Sequence, residues 1–150
     1  MRVVVQKVKT ASVAVNKQLV GEINNGLLLF AGYEHGDTLD DIAWITQKVT
    51  NLRIFNDELQ KMNLSLIDTS GDLLLVSQFT LHASTKKGNR PSFTASAKPN
   101  EAKVLYQLTI DEIEITLQKT IQTGVFGAMM DVSLLNDGPV TIILDSKNKE

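Results

Sequence analysis

"LLNDGPVTIILDS", residues 134–146, sets Gly138 and Pro139 between two strongly apolar runs. The stretch reads as a strand ending at residue 135, a turn at Asn136-Asp137-Gly138 and a second strand over residues 140–144. Pro139 then stands where that second strand should begin. An X-Pro bond keeps a trans preference of only about 0.5–1 kcal/mol. Gly138 adds no Cβ to obstruct unusual backbone angles. Gly-Pro is therefore the dipeptide best able to hold a cis bond with both carbonyls facing one way. Spacing alone favours the plainer alternative, a trans bond in an ordinary hairpin turn.

Working outward, the chain is rich in short strands. Residues 2–8 and 11–15 are β-branched, residues 19–23 are short and apolar, and residues 27–33 follow the turn signal Asn24-Asn25-Gly26. Thr38 with Asp41 three residues on has capping-box character. Leu39, Ile42, Ala43, Thr46, Val49 and Leu52 keep helical spacing after it, which predicts a helix over residues 38–51. Residues 52–55 read as a short strand and residues 73–79 as a buried one. Residues 82–99 are polar, with Gly88 and Pro91, and read as a long loop. Pro99-Asn100-Glu101 opens a second helix, which Ala102, Leu105, Leu108, Ile113 and Leu117 carry to about residue 117. Residues 120–125, 130–135 and 140–144 read as strands. The sum is one α+β domain over residues 1–150. It is strand-rich and barrel-like, with two helices covering one side of a curved sheet.

Composition narrows the function. The 150 residues are 43% hydrophobic and 21% charged, with a net charge of −2. No global basic field attracts nucleic acid, so any contact with RNA must be local. There are no cysteines, which removes a disulfide framework, a thiol nucleophile and thiolate zinc sites. No apolar run approaches the length of a membrane span. The alternating "MRVVVQKV" lacks a cleavage signal, so the expected location is cytoplasmic. No HExxH, Walker loop or GxSxG elbow is present. The two histidines, His35 beside a turn and His82 after "SQFTL", read as surface residues, although His82 is also placed to orient a substrate. No carboxylates pair in the pattern of a catalytic acid and base. No metal and no cofactor is expected. An enzyme built this way must rely on backbone groups or on its substrate.

"VSQFTLHASTKKGNRPSF", residues 76–93, is the other stretch with the character of a site. Ser77, Gln78 and Thr80 place three polar residues within four positions at the end of an apolar strand, around Phe79. That many polar groups are costly to bury without partners. The stretch reads either as a strand end emerging into water or as a pocket floor whose amides and hydroxyls face a ligand. Lys86, Lys87 and Arg90 follow, either as a solvated loop or as a local grip on phosphates.

These segments carry a resemblance. The sequence resembles the D-aminoacyl-tRNA deacylases, also called D-tyrosyl-tRNA deacylases, through "ASVAV", "GEINNGLLLF", "NLRIFND" with "KMNLS", "SQFTL", "KKGNRPSF", "TGVFGA" and "NDGPVTIILDS". "SQFTL" and "NDGPVT", in this order and about sixty residues apart, are the two signatures. They match the D-specific branch better than relatives that edit L-alanyl-tRNA or the domain fused to archaeal threonyl-tRNA synthetases.

The resemblance implies a homodimeric barrel-like fold with the active site at the subunit interface. It implies a cytosolic ester hydrolase acting on the acceptor end of D-aminoacyl-tRNA. It implies a cis Gly138-Pro139 bond that reaches into the partner's pocket and crowds the side where an L side chain projects, with Val140 and Thr141 in support. Selectivity then comes from rejecting the wrong hand, and glycine, with no side chain to reject, is expected to leak through. By the same resemblance the backbone at Gln78 and Phe79 binds the ester near the terminal adenosine and stabilises the oxyanion. Ser77 and Thr80 complete the catalytic set, and Lys86, Lys87 and Arg90 are candidate tRNA contacts. Two nucleophiles stay open: the Thr80 hydroxyl, or water assisted by the ribose 2′-hydroxyl. The second is favoured, since no histidine or lysine is clearly placed to activate Thr80.

Three departures from the family pattern stand out. Lys7 replaces an arginine implied to pin the Gly-Pro loop, and lysine keeps the charge without the planar fork. Ser84 and Met129 stand where aspartate is usual. Both lie outside the signatures, which points to peripheral contacts rather than to the chemistry.

Overall fold

The computed structural model describes residues 1–149. Strand β1 (Arg2–Val15) is the spine. One edge of it pairs antiparallel with β3 (Gly26–Gly32) over residues 2–8 and with β2 (Gln18–Ile23) over residues 11–15. The two strands read over residues 2–8 and 11–15 are therefore one continuous strand. Its other edge pairs with β8 (Asp131–Asp145) from Arg2↔Asp145 to Ala14↔Asp131.

This pairing corrects the hairpin expected at residues 130–144. Both flanks of Gly138-Pro139 run in one direction and pair with the same strand, so they cannot pair with each other. The register steps from Gln6↔Thr141 to Val8↔Asn136. Two positions on β1 are matched by five on β8, and residues 137–140 swell out of the ladder as a bulge. The Gly138-Pro139 bond is cis, not trans as spacing alone favours.

After β3 the chain crosses over through α1 (Leu39–Asn51), the short strands β4 (Phe55–Asn56) and β5 (Met62–Leu64) and the single turn α2 (Leu66–Thr69). It returns as β6 (Asp72–Ser77), parallel to β3. A 3₁₀ turn, Phe79–His82, follows at once. Helix α3 (Pro99–Leu117) then leads to β7 (Gln122–Thr123), parallel to β6. The sheet order is β2-β1-β3-β6-β7, with β8 on the far edge of β1. The Thr123 carbonyl lies 3.0 Å from where a Cβ on Gly21 would stand. Strands β2 and β7 thus come into contact and nearly close a barrel.

The parallel pair β3 and β6 is covered on both faces, which explains its unbroken apolar runs. Leu27, Leu29, Leu73 and Leu75 pack outward beneath Ile42, Ile45 and Val49 of α1 and Leu105, Tyr106 and Ile113 of α3. Leu28, Leu74 and Val76 pack inward with Val13 and Ile23. Helix α1 starts as its sequence predicts: the Asp41 carboxylate accepts from the Thr38 amide at 2.8 Å and its hydroxyl at 3.0 Å. The single turn α2 opens on a second box of this kind, Ser65 with Asp68, a signal present in "SLID" but not expected as a helix. The strands expected over residues 52–55 and 120–125 shrink to Phe55–Asn56 and Gln122–Thr123. Strand β6 ends at Ser77, two residues early, because the chain turns there.

Charged side chains brace the frame. Arg2 donates to Asp145 Oδ2 at 2.7 Å and 3.0 Å and to the Leu81 carbonyl at 2.8 Å. Lys147 Nζ lies 2.7 Å from Asp41 Oδ2. Burial raises the Asp41 carboxyl, but hydrogen bonds from Lys147, Ser146 and Thr38 outweigh it and hold the group well below the usual carboxylate range. No helix among the described residues is long and apolar enough to cross a membrane.

Candidate active site

The corner where β6 ends is held from three sides. The Gln78 amide donates to the Ala31 carbonyl at 2.7 Å, continuing the β3–β6 ladder one residue past the strand. The Ser96 hydroxyl donates to the Phe79 carbonyl at 3.1 Å, and Arg2 holds the Leu81 carbonyl. Gly32 lets the corner fold this close. A Cβ there would stand 2.7 Å from the Gln78 carbonyl oxygen and 3.0 Å from Leu81 Cβ.

Within the 3₁₀ turn the Leu81 amide donates to Gln78 and the Ala83 amide to Thr80. The amides of Phe79 and Thr80 open the turn and have no partner inside it. Two N–H donors are thus presented side by side beside an exposed threonine. Gln78 Nε2 donates to Thr80 Oγ1 at 2.5 Å. Phe79 is 58% exposed, and its ring meets that of Phe93 edge to face, with centroids 5.0 Å apart.

Ser77, Gln78, Phe79 and Thr80 line one cavity of about 760 Å³. Its other walls include Phe93, Phe126, Met129 and Met130, and its one charged lining residue is Lys98. No carboxylate and no histidine line it among the described residues. Tyr33 reaches the wall, but its hydroxyl donates to Thr109 Oγ1 at 2.9 Å, and burial pushes its pKa up. The cavity offers backbone N–H groups, hydroxyls and an apolar wall, and no side-chain base.

The bulge on β8 is built differently. The Asn136 side chain spans it, accepting from the Val140 amide at 3.1 Å and donating to the Val140 carbonyl at 3.3 Å. Gln6 Oε1 accepts from the Thr141 hydroxyl at 2.6 Å and from Asn136 Nδ2. Lys7, its side chain 9% exposed, lies 2.9 Å from Asp137 Oδ2. Gly138 and Pro139 are exposed and do not line the cavity of their own chain.

The profile of the D-Tyr-tRNA(Tyr) deacylase family matches residues 4–145, which takes in both the corner and the bulge. The chain belongs to this family. The D-aminoacyl-tRNA deacylases of Flavobacterium psychrophilum and Chromobacterium violaceum are 53% and 55% identical to it over 150 residues, the full length of this chain and of each relative. A solved structure described as c-Myc DNA unwinding element binding protein matches with a TM-score of 0.92 at 37% identity, covering 97% of this chain and 98% of that one. A probable eukaryotic D-amino acid tRNA deacylase, at 16% identity and a TM-score of 0.81 over 95% and 97% of the two chains, shares the fold.

Set on this deacylase frame, the residues singled out in the sequence fall into three places. Residues 77–80 share the cavity floor. Lys7, Gly138, Pro139, Val140 and Thr141 gather at the bulge. Lys86, Lys87 and Arg90 sit exposed on the loop tied by the Ser84–Ser92 bridge and do not touch the cavity.

Two expectations change. His82, read as a surface residue, is 6% exposed and packs with Cδ2 against Gly32, its Nε2 without a hydrogen-bond partner among the described residues. The 3₁₀ turn folds it back under the corner. Met129, expected at the periphery, stands on the cavity wall. His35 is exposed as expected and meets Glu101 at 3.3 Å. The sequence marks Asn136 and Asp137 only as part of a turn, and Gln6 not at all, yet all three hold the bulge. An asparagine two residues before Gly-Pro is an Asx-turn signal that points to Asn136, whereas Gln6 is recognisable only once β1 and β8 are paired.

Proposed function

We propose that this chain is an ester hydrolase that releases D-amino acids from D-aminoacyl-tRNA. One observation carries the reading: among the described residues, a cavity floor with two adjacent amides that have no partner, an exposed threonine and no general base. In this reading the ester carbonyl oxygen faces the Phe79 and Thr80 amides, which stabilise negative charge as it develops. Water attacks the carbonyl carbon, and the bond to the ribose oxygen breaks. The ribose 2′-hydroxyl relays the proton from water to the departing oxygen, so the RNA supplies what the protein lacks. Thr80, its hydroxyl held by Gln78, orients rather than attacks.

Handedness is assigned to Gly138-Pro139 of a second copy. The segment is exposed and outside its own cavity, while Leu135 and Ile143 on β8 expose 56% and 67% of their surface. An apolar strand flanking an exposed peptide supports a homodimer in which each bulge enters the other chain's cavity and excludes L side chains. Lys7 and Asp137 hold that bulge in place of the arginine usual in the family. Glycyl-tRNA, with no side chain to exclude, is also accepted. A cytoplasmic location fits a substrate made there.

The test is release of D-tyrosine from D-Tyr-tRNA with L-Tyr-tRNA left intact. Equal loss of both esters refutes chiral selection. A sedimentation measurement showing a monomer removes the shared site. The printed description of the 37%-identical solved structure favours a second reading, nucleic-acid binding without cleavage. That reading predicts retained binding and no loss of any ester.

A further inference from the structure

Several cations of this chain have partners. Arg2, Lys7, Lys119 and Lys147 face carboxylates, and Lys48 and Lys149 lie over the Trp44 ring. Residues 86–103 are different. Lys86, Lys87, Arg90, Lys98 and Lys103 fall there against a single carboxylate, Glu101, which is taken up by His35. A chain of net charge −2 thus gathers, in a segment that borders its cavity, cations that have no ion-pair partner among the described residues.

Lys98 stands apart within this group because it alone lines the cavity. Its backbone is also tied to the corner. Ser96, two residues before it, holds the Phe79 carbonyl, and the Ala97 amide donates to the Tyr33 carbonyl at 2.9 Å. The Lys98 carbonyl accepts from the Ala102 amide at 2.8 Å as α3 begins. Its Cα therefore has a fixed place relative to the Phe79 and Thr80 amides, whereas Lys86, Lys87 and Arg90 ride on the outer loop.

The substrate proposed above is cationic at one end, its α-ammonium, and anionic at the other, its phosphates. A lone lysine on an otherwise uncharged wall repels the first and attracts the second. We infer that Lys98 is a positioning residue that holds the phosphate of the terminal nucleotide, setting the depth at which the ester meets the two amides. The loop cations meet phosphates further along the single-stranded end. This inference rests on the deacylase reading of the cavity.

The experiment compares D-tyrosyl-tRNA with 2′(3′)-O-D-tyrosyl-adenosine, which carries the same ester and no phosphate. In Lys98→Gln, kcat/KM on the tRNA ester is expected to fall about tenfold more than on the adenosine ester. The slope of log(1/KM) for the tRNA against log salt is expected to flatten by about 0.7, the loss of one phosphate contact. Lys98→Arg restores most of both, because the charge is kept. Equal losses on the two esters, no loss on the tRNA ester, or a Lys98→Arg variant as impaired as Lys98→Gln overturns the inference. If the unaltered protein cleaves neither ester, the deacylase reading itself fails, a result distinct from any of these.

Discussion

Two interruptions of extended backbone, the corner after β6 and the bulge in β8, use opposite means. At the corner the carbonyls of Gln78, Phe79, Thr80 and Leu81 all accept hydrogen bonds, while the Phe79 and Thr80 amides stay open. At the bulge the work falls to side chains: Asn136 spans it, Gln6 grips both its flanks and Lys7 pins Asp137. In the proposed mechanism the corner supplies donors for a charge that appears during reaction. The bulge holds up a short exposed peptide whose proposed role is steric. Donors need exact placement relative to one small cavity, and a steric barrier needs stiffness against displacement. The division predicts that damage to the corner lowers rate for every substrate, whereas damage to the bulge lowers discrimination between hands.

The sharpest way to break this contrast is chemical. D-Tyr-tRNA ending in 2′-deoxyadenosine is expected to react about 10³-fold slower than the normal substrate, with Thr80→Ala retaining far more activity than that. A dead Thr80→Ala with normal cleavage of the deoxy substrate would make Thr80 the nucleophile. Next in size is Gly32→Ala. The added Cβ meets the Gln78 carbonyl at 2.7 Å and must push the corner outward. A displacement of this kind is expected to cost about 10²-fold in kcat/KM, seen in single-turnover assays with folding monitored separately.

Lys7→Met probes the other region. Among the described residues it leaves Asp137 with only the distant Lys9, at 3.9 Å, and it is expected to reduce the D/L ratio of kcat/KM about tenfold with little change for the D substrate. A loss of rate with the ratio intact would merge the two regions into one machine. Lys7→Arg sharpens the point, since a planar guanidinium grips the carboxylate with two donors and is expected to keep the ratio.

The smallest effect falls on the frame both regions share. Hydrogen bonds hold the carboxyls of Asp41 and Asp145 below their usual range against the opposing effect of burial, with Lys147 foremost at Asp41 and Arg2 at Asp145. A depressed folded-state pKa gives stability that is present above the unfolded value, near 4, and is lost as pH falls below it. Denaturant unfolding is expected to show a loss of about 1–2 kcal/mol between pH 5 and pH 2, and a shallower slope in Asp41→Asn. Because Arg2 also holds the Leu81 carbonyl, the corner is expected to loosen before the bulge, visible as faster amide exchange at residues 79–82.

Much of this was legible in the chain. Periodicity placed α1 and α3 to within a residue, because each carries an unmistakable start, Thr38 with Asp41 and Pro99 at the first turn. Unbroken apolar runs marked β3 and β6, because both of their faces are covered. The polar cluster at residues 77–80 marked the cavity floor, since three polar groups at a strand end need a reason. Strands β4 and β7 read longer in sequence than they are, and β5 gives no signal at all, because a strand that short is bounded by its partner and not by its own composition.

The sequence by itself determined the alternation of elements, the cavity-floor motif and, through two spaced signatures, the family. Tertiary structure alone decided that residues 131–145 form one strand with a bulge, that His82 is buried, and that Gln6 joins Lys7 at the bulge around Gly138-Pro139. Local chemistry records which conformations a segment tolerates. Which strand a segment pairs with, and what then lies beneath it, depends on residues from fifty to more than a hundred positions away, and no short window of sequence contains them.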